Sequence, residues 1–334
     1  MASPFPLSIL DLAPIAEGVT TSEALTETVK LAQAGEAMGY TRLWFAEHHG
    51  MPSIGSASPE VLIASAAAAT SRIRVGSGGV MLLNHAPLRI VEAFRTLEAL
   101  NPGRIDLGLG RAPGGDGYAM RALRTGGGEE FSHYLAELMA FEEGTFPVDH
   151  PLSRVAVAPG GVGLPPMWLL GSSGASASGA GELGMGYAFA AHFSPAPGGP
   201  AIAAYRKAFV PSPAFPEPKS IVCVSVICAE TDEEAQFLSG SQALSWALFH
   251  SGQQRKLVPP EEAAAHDYTE RELAIIENQR PLWIIGSPQT VKARIEEKRE
   301  ETGADEVMIT TQMHSYDKRR ESYRLIAEAF GLEG

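Results

Sequence analysis

The chain has 334 residues, of which 45% are hydrophobic and 19% charged, and its formal net charge is −13. This composition is typical of a folded globular protein with a large apolar core, and it excludes a mainly disordered chain. A nucleic-acid surface needs clustered Lys and Arg to neutralise phosphates, and the sequence has no such stripe, so we expect no nucleic-acid partner.

The N-terminal residues and the cysteines narrow the class of protein further. Residues 1–6 contain neither a charged region nor a long apolar region, and no apolar run approaches the length of a membrane span. We therefore expect a cytoplasmic protein without a membrane partner.

Cys223 and Cys228 lie five residues apart in one apolar run. Because this spacing places them on opposite faces of a strand, we expect two buried thiols, not a disulfide or a metal pair.

The first third of the chain alternates between short apolar runs and longer segments of helical periodicity. Capping and turn signals predict helices that begin near Thr21, at Ser58-Pro59 and at Pro87. Strands are predicted between them at residues 7–12, 41–46, 73–83 and 104–109. Strand–helix units repeating about every 30 to 35 residues indicate a parallel sheet with right-handed crossovers.

The alternation continues less regularly in the remainder of the chain. Further strands are predicted at residues 167–170, 187–191, 220–229 and 306–311, and helices at about 119–143, 200–209, from 231, 288–302 and 317–330. Eight strands that alternate with helices predict the α/β class, specifically a closed (β/α)8 TIM barrel. We expect one domain over residues 1–334, with insertions after strand 4 (about 110–165) and after strand 7 (about 240–285, largely helical and partly lid-like).

Polar side chains follow two of the predicted strands, where a barrel of this kind places its chemistry. Glu47-His48-His49 ends the second strand, and a histidine there suits general acid–base chemistry because its ordinary pKa lies near neutrality. The alternative is a pair of loop or capping histidines. Arg111 follows the fourth strand, where a guanidinium would bind a phosphate or carboxylate; the alternative is a surface salt bridge. No histidine or cysteine spacing predicts a metal site.

Two glycine-containing segments are candidates for contact with a ligand. Gly78-Gly79 interrupts the third predicted strand, which favours a special backbone conformation or a planar ligand lying against it. Residues 171–176 follow the fifth strand and enter a helix, so that backbone N–H groups and serine hydroxyls could face a phosphate; a flexible turn is the alternative. Residues 108–113 lack the third glycine and the helix of a dinucleotide fingerprint.

In combination and in this order, these segments resemble the bacterial luciferase-like family of flavin-dependent monooxygenases over nearly the whole chain. The departures from luciferase itself include Ser172-Ser173 where luciferase has an acidic residue before the serine. The resemblance is therefore to non-luminescent members, and light emission is not expected. The segments that carry it are Trp44 to His49, Gly76 to Leu82, Asn84 to Arg89, Pro102 to Arg111, Trp168 to Ser173 and Thr302 to Glu306.

The resemblance implies a site for FMN across the C-terminal mouth of the barrel. By position, His48 matches the active-site histidine of the family and Arg111 its phosphate-binding arginine. Gly78-Gly79 matches a non-prolyl cis peptide under the flavin ring. The residues that remain are the phosphate cradle, Ser172, Ser173 and Ser176, and two residues expected to line the flavin or the substrate, Asn84 and His192.

The resemblance also implies an activity and its partners. Reduced FMN, delivered by a separate NAD(P)H:flavin reductase, would react with O2 to give a C4a-peroxyflavin that transfers one oxygen atom to a small organic substrate. A homodimer is expected. Two alternatives remain open from the sequence: a deazaflavin (F420)-dependent oxidoreductase that transfers hydride on the same barrel, and a non-catalytic flavin-binding protein.

Overall fold

A closed barrel of parallel strands forms the centre of the computed structural model, which describes residues 5–334. Ten strands lie in this part of the chain: β1 (Leu7–Asp11), β2 (Arg42–Phe45), β3 (Arg74–Ser77), β4 (Val80–Met81), β5 (Ile105–Gly110), β6 (Met167–Gly171), β7 (Gly186–Ala190), β8 (Ser220–Cys228), β9 (Trp283–Gly286) and β10 (Glu306–Thr310). Eight of them close the barrel in the order β1-β2-β3-β5-β6-β7-β8-β10, and β10 pairs back onto β1. The predicted (β/α)8 barrel is confirmed.

Helices alternate with these strands and cover the outside of the barrel. No helix within residues 5–334 combines the length and apolar character needed to cross a membrane. The helices are α1 (Thr21–Ala37), α2 (Pro59–Ala69), α3 (Pro87–Leu100), α4 (Gly117–Leu123), α5 (Phe131–Glu143), α6 (Gly174–Glu182), α7 (Gly198–Ala208), α8 (Asp232–Leu238), α9 (Gly240–His250), α10 (Pro260–Ala265), α11 (Glu270–Gln279), α12 (Pro288–Thr302) and α13 (Tyr316–Phe330).

The strands are buried on both faces, which explains their nearly continuous apolar sequences. One face packs against the helices in a large outer core, and the other fills the barrel with Leu10, Trp44 and Met308 among others. Cys223 belongs to the inner cluster and Cys228 to the outer one, and both are buried free thiols, as predicted.

The special backbone conformation predicted at Gly78-Gly79 is confirmed, and it divides the strand predicted over residues 73–83 into two. The strand β3 ends at Ser77, the Gly78-Gly79 peptide is cis, and β4 is followed by a 3-10 helix at Leu82–Asn84. A Cβ atom on Gly79 would lie 2.8 Å from the carbonyl oxygen of Gly108, and one on Gly78 would lie 2.7 Å from Leu10 Cδ1. Gly79 is therefore required because the backbone of the neighbouring strand lies too close for a side chain, whereas a side chain at Gly78 would press on Leu10 in the barrel interior.

Two other predicted elements need correction. The helix predicted at about 119–143 is two helices, α4 and α5, which are separated by a turn that contains three consecutive glycines, Gly126 to Gly128. The second insertion is helical as predicted in α9, α10 and α11, but it ends in β9, which was not predicted. That strand extends the sheet by pairing with the C-terminal part of the long strand β8.

The second insertion is fastened to the loop after β1. The backbone N–H of Leu257 donates to the carbonyl of Ile15 at 3.0 Å, and the N–H of Glu17 donates to the carbonyl of Leu257 at 2.7 Å. Arg255 forms an ion pair with Glu17 at 2.7 Å beside this bridge. Since backbone bonds hold it in place, this part of the insertion is a fixed wall beside the barrel mouth.

Candidate active site

The residues predicted to form the site all follow the C-terminal ends of neighbouring barrel strands. His48 follows β2, Gly78 and Gly79 lie between β3 and β4, and Asn84 follows β4. Because β2, β3, β5, β6 and β7 are consecutive around the barrel, the predicted residues lie along one arc of its mouth. The remaining ones are Arg111 after β5, Ser172, Ser173 and Ser176 after β6, and His192 after β7.

Two imidazoles at this mouth have buried nitrogen atoms without a partner. The Nδ1 atoms of His48 and His192 are both buried and neither has a hydrogen-bond partner in the part of the chain that the structure describes. Burial lowers the pKa of each ring to about 4, and the charge of a protonated His48 would lower that of His192 further. Both rings are therefore neutral at pH 7. A buried polar atom without a partner costs about 1–3 kcal/mol, so these two atoms point to a bound ligand.

A buried carboxylate behind His48 organises the other polar residues of the mouth. Glu47 is fully buried and accepts hydrogen bonds from His49 Nε2 at 2.8 Å, from His85 Nε2 at 2.9 Å and from the backbone N–H of Met81 at 2.9 Å. Burial raises the pKa of the Glu47 carboxyl, but the bonds from His85, His49 and Met81 outweigh burial and bring it below its ordinary value. Burial likewise lowers the pKa of His85, but Glu47 outweighs it and raises that pKa. The two groups stabilise each other's charged forms.

Asn84 joins the same hydrogen-bonded group. Its Nδ2 donates to Glu47 Oε1 at 3.1 Å and to the carbonyl of Pro113 at 3.0 Å, and its Oδ1 accepts from Thr125 Oγ1 at 2.7 Å. The side chain therefore braces the loop after β5. Its predicted contact with a flavin or substrate remains a prediction.

Arg111 is exposed and forms no hydrogen bond or ion pair within residues 5–334. It directly follows the last residue of β5, Gly110, and points from a strand end at the mouth. The surface salt bridge that was the alternative from the sequence is not formed among these residues. An unpaired guanidinium of this kind is available for a phosphate or carboxylate.

The serine loop after β6 leads into the N-terminus of α6. Ser173 is the N-cap residue, but its side chain makes no capping bond. The hydroxyl of Ser176 donates to the carbonyl of Ser173 at 2.9 Å, so its proton is used within its own turn. Tyr187, which the sequence did not single out, donates to the same carbonyl at 3.3 Å. The first-turn N–H groups of α6 and the hydroxyls of Ser172 and Ser173 are the donors best placed for an anion.

Glu47 and His85 lie in the segments that carry the family resemblance, but the sequence predicted no role for either residue. In the sequence, Glu47 lies beside two histidines at the end of the second predicted strand, and His85 follows Asn84 after the third. This placement at two strand ends could have indicated a role. Within residues 5–334, no group of three or more His, Cys, Asp or Glu is arranged to hold a metal ion. The group around Glu47 is thus a hydrogen-bond network.

Sequence comparison adds to this description of unpaired donors and half-buried imidazoles at the mouth of a (β/α)8 barrel. A profile described as luciferase-like monooxygenase matches residues 5–306, and the chain belongs to this family of oxidoreductases. A protein of Escherichia coli strain K12 named luciferase-like monooxygenase is 40% identical over 321 residues, which cover 95% of each chain. An N-acetyl-S-alkylcysteine monooxygenase of Bacillus subtilis is 33% identical over 97% of both chains.

Solved structures agree with this assignment. The crystal structure of apo-MsnO8 is 38% identical, covers 98% of both chains and superposes with a TM-score of 0.88. More distant structures share the fold with a TM-score of 0.70. One is a 3,6-diketocamphane monooxygenase of Pseudomonas putida in complex with FMN, 19% identical over 98% of this chain and 97% of that one. The other is an F420-dependent secondary alcohol dehydrogenase with an F420-acetone adduct, 13% identical over 99% of both.

Proposed function

We propose that this protein is an FMN-dependent monooxygenase that uses reduced flavin and O2 to insert one oxygen atom into a small organic substrate. The observation that carries the proposal is the pair of buried, unpartnered Nδ1 atoms of His48 and His192 at the barrel mouth. Neutral imidazoles in such a position are suited to hydrogen-bond a reacting centre and to exchange a proton with it.

The order of the residues along the arc supports FMN as the bound molecule. Arg111, together with the donors at the start of α6, Ser172 and Ser173, would hold the phosphate. The Gly78-Gly79 segment offers a backbone surface without side chains for the flat ring. When bound in its reduced form, FMN supplies the electrons that activate dioxygen.

His48 and His192 then act at the reacting end of the site. Because the pKa of each is lowered to about 4, both rings are neutral at pH 7, and the unpartnered Nδ1 of each ring is available to a bound molecule. Their burial removes bulk water from around them, which strengthens their hydrogen bonds to a bound molecule. We assign the catalytic proton transfer to His48 and a substrate- or flavin-lining role to His192.

Reduced FMN would come from a separate NAD(P)H:flavin reductase. The support is that the glycine segment after β5 leads to an exposed arginine and a loop, and α4 begins only at Gly117, so no dinucleotide-binding turn is formed there. A homodimer remains part of the proposal.

Sequence similarity favours a monooxygenase over an F420-dependent dehydrogenase. Two relatives named as monooxygenases are 33% and 40% identical to this chain, whereas the F420-dependent alcohol dehydrogenase is 13% identical, a level that speaks for the fold alone. Titration of the protein with FMN and with F420 separates the two. Tighter binding of F420, with hydride transfer to a carbonyl compound, would contradict the proposal.

The direct test is turnover under 18O2. Protein, FMN, a flavin reductase and NAD(P)H are mixed with a panel of organic thioethers, which includes N-acetyl-S-alkylcysteines because of the Bacillus subtilis relative. The expected product carries one 18O atom and requires the protein. Omission of the protein controls for oxidation by free peroxide. Flavin binding without any oxygenated product across the panel would support the flavin-binding protein instead.

A further inference from the structure

The hydrogen-bonded group around Glu47 lies next to the proposed site, but the reaction does not use it. We propose that Glu47 is a positioning residue for cofactor binding: it holds the loop after β5 in place and so fixes Arg111 where it can reach the phosphate. This inference rests on the proposed function, and it adds the residues that set the affinity for the phosphate group.

The loop after β5 is packed directly on the segment that carries Glu47. The backbone N–H of His49 donates to the carbonyl of Gly114 at 2.7 Å. A Cβ atom on Gly114 would lie 2.7 Å from the carbonyl oxygen of Glu47, and one on Gly115 would lie 2.9 Å from that of His49. Two glycines are thus needed for the loop to approach this closely, and Gly114 also has a φ of +70°.

The carboxylate of Glu47 connects the two attachments of this loop. It accepts from the ring of His49, whose backbone binds Gly114, and from the amide of Asn84, which also binds the carbonyl of Pro113 at 3.0 Å. Both attachments are therefore made by residues whose side chains bind one buried anion.

Arg111 lies between two fixed points. Gly110 belongs to β5, and Pro113 is held by Asn84, so only Arg111 and Ala112 separate the strand from the anchored part of the loop. The residues that follow α4 are attached to the same segment. Thr125 donates to Asn84, and the N–H of Gly126 donates to the carbonyl of Leu83 at 3.2 Å. Release of these anchors would free Arg111 in the unliganded protein, and FMN would have to order it on binding.

The test compares Glu47→Gln with the wild-type protein in two measurements. The first is the dissociation constant for FMN and for riboflavin, which lacks the phosphate. Since one or two residues would have to be ordered on binding, we expect affinity for FMN to fall roughly tenfold more than affinity for riboflavin. The second is the rate of trypsin cleavage after Arg111, Arg121 and Arg124 in flavin-free protein, mapped by mass spectrometry. We expect faster cleavage at these sites in the variant.

The chain offers a matched control at the other end of the barrel. Glu306 is also a buried carboxylate with an arginine partner, and Glu306→Gln makes the same chemical change far from the loop. It should lower stability and leave both the FMN-to-riboflavin preference and the three cleavage rates unchanged. If Glu47→Gln does not fold, His49→Gln removes the imidazole that binds Glu47, and Asn84→Ala removes the amide that binds the carbonyl of Pro113. Each should give a smaller change in the same direction.

The outcomes separate this inference from the proposed function. If the wild-type protein prefers FMN to riboflavin and Glu47→Gln keeps that preference and the wild-type cleavage rates, Glu47 is not a positioning residue. If the wild-type protein binds neither flavin, or binds both equally, the phosphate assignment and the proposed function fail first. The cleavage measurement requires no flavin and tests the anchoring of the loop in either case.

Discussion

Two sets of polar groups at opposite ends of the barrel differ in how they are paired. At the N-terminal end, Arg42 binds Asp106 at 2.8 Å and Glu306 at 2.8 Å, while Arg74 and the Trp44 indole bind Asp106 as well. At the C-terminal end, the Nδ1 atoms of two buried histidines have no partner in the described chain and Arg111 is unpaired. The same fold thus contains one polar cluster whose charges are matched internally and another that is left open.

The difference separates stability from binding. In the matched cluster, burial raises the pKa of Asp106, but Arg42 and Arg74 outweigh burial and bring it below its ordinary value. Removal of one member leaves a buried charge without compensation, which is costly. In the open cluster, removal of a member loses little within the protein, because its polar atoms have nothing to lose. We expect mutations at the two ends to divide accordingly.

The largest effect is expected from Asp106→Ala. Arg42 and Arg74 would lose a shared partner, and the Trp44 indole would lose its acceptor, so the free energy of unfolding should fall by about 3–5 kcal/mol. Urea denaturation measures this. The relative affinity of the folded protein for FMN and riboflavin should not change; a selective loss of FMN would break the division between the two ends.

His48→Ala should act on turnover and hardly on stability. General acid–base groups contribute about 100-fold to 10,000-fold, and we expect turnover to fall at least roughly 100-fold. FMN binding and the urea midpoint should stay near wild type, because Nδ1 of His48 has no partner to lose. Steady-state oxygen-transfer kinetics provide the measurement. Wild-type turnover would reduce His48 to a structural residue.

Arg111→Ala should weaken FMN while sparing riboflavin. A hydrogen bond to a charged group contributes about 1.5–3 kcal/mol, which corresponds to roughly a tenfold to hundredfold loss of FMN affinity. Calorimetric titration with both flavins checks the result. Arg121 is an exposed arginine of α4 in the same region, and Arg121→Ala is the matched control that should change neither affinity. Equal losses for both flavins would mean that Arg111 does not bind the phosphate.

The last prediction concerns a change of pH instead of a substitution. The pKa values of His48 and His192 are about 4 in the folded protein, against an ordinary value of 6.5, so the unfolded chain binds more protons between these limits. Stability should therefore fall as the pH decreases from 6.5 to 4, by at most about 1.4 kcal/mol per pH unit for each histidine. His85, whose pKa is raised, contributes at full strength throughout this range and does not cancel the effect. A His48→Ala, His192→Ala double variant should flatten the profile obtained from urea denaturation at a series of pH values.

Features that depend on local sequence could be predicted. Apolar runs and capping residues located the eight barrel strands, and the rule that strand ends face one mouth brought His48, Arg111 and His192 to the same edge. The helix α12 was predicted at the residues where it occurs, because Pro288 opens it and Gly303 follows it.

Features that depend on contacts across the barrel could not be predicted. Glu47 accepts hydrogen bonds from Asn84 and His85, 37 and 38 residues away, and the pairing of β2 with β3 brings these residues together. The strand β9 is four residues long and pairs with a part of β8 that extends past β7, which no local pattern encodes. The use of the Ser176 proton within its own turn likewise depends on the loop conformation.

The bridge between Leu257 and the loop after β1 has a consequence for how such a protein can diversify. Backbone hydrogen bonds hold the chain on both sides of residues 259–282. Before this segment, Leu257 bonds with Ile15 and Glu17, and after it, β9 pairs with β8. Neither set of backbone bonds involves a side chain of residues 259–282. The sequence of residues 259–282 can therefore change while the strands that carry His48 and Arg111 keep their register, so that this segment can diversify independently of the residues at the strand ends.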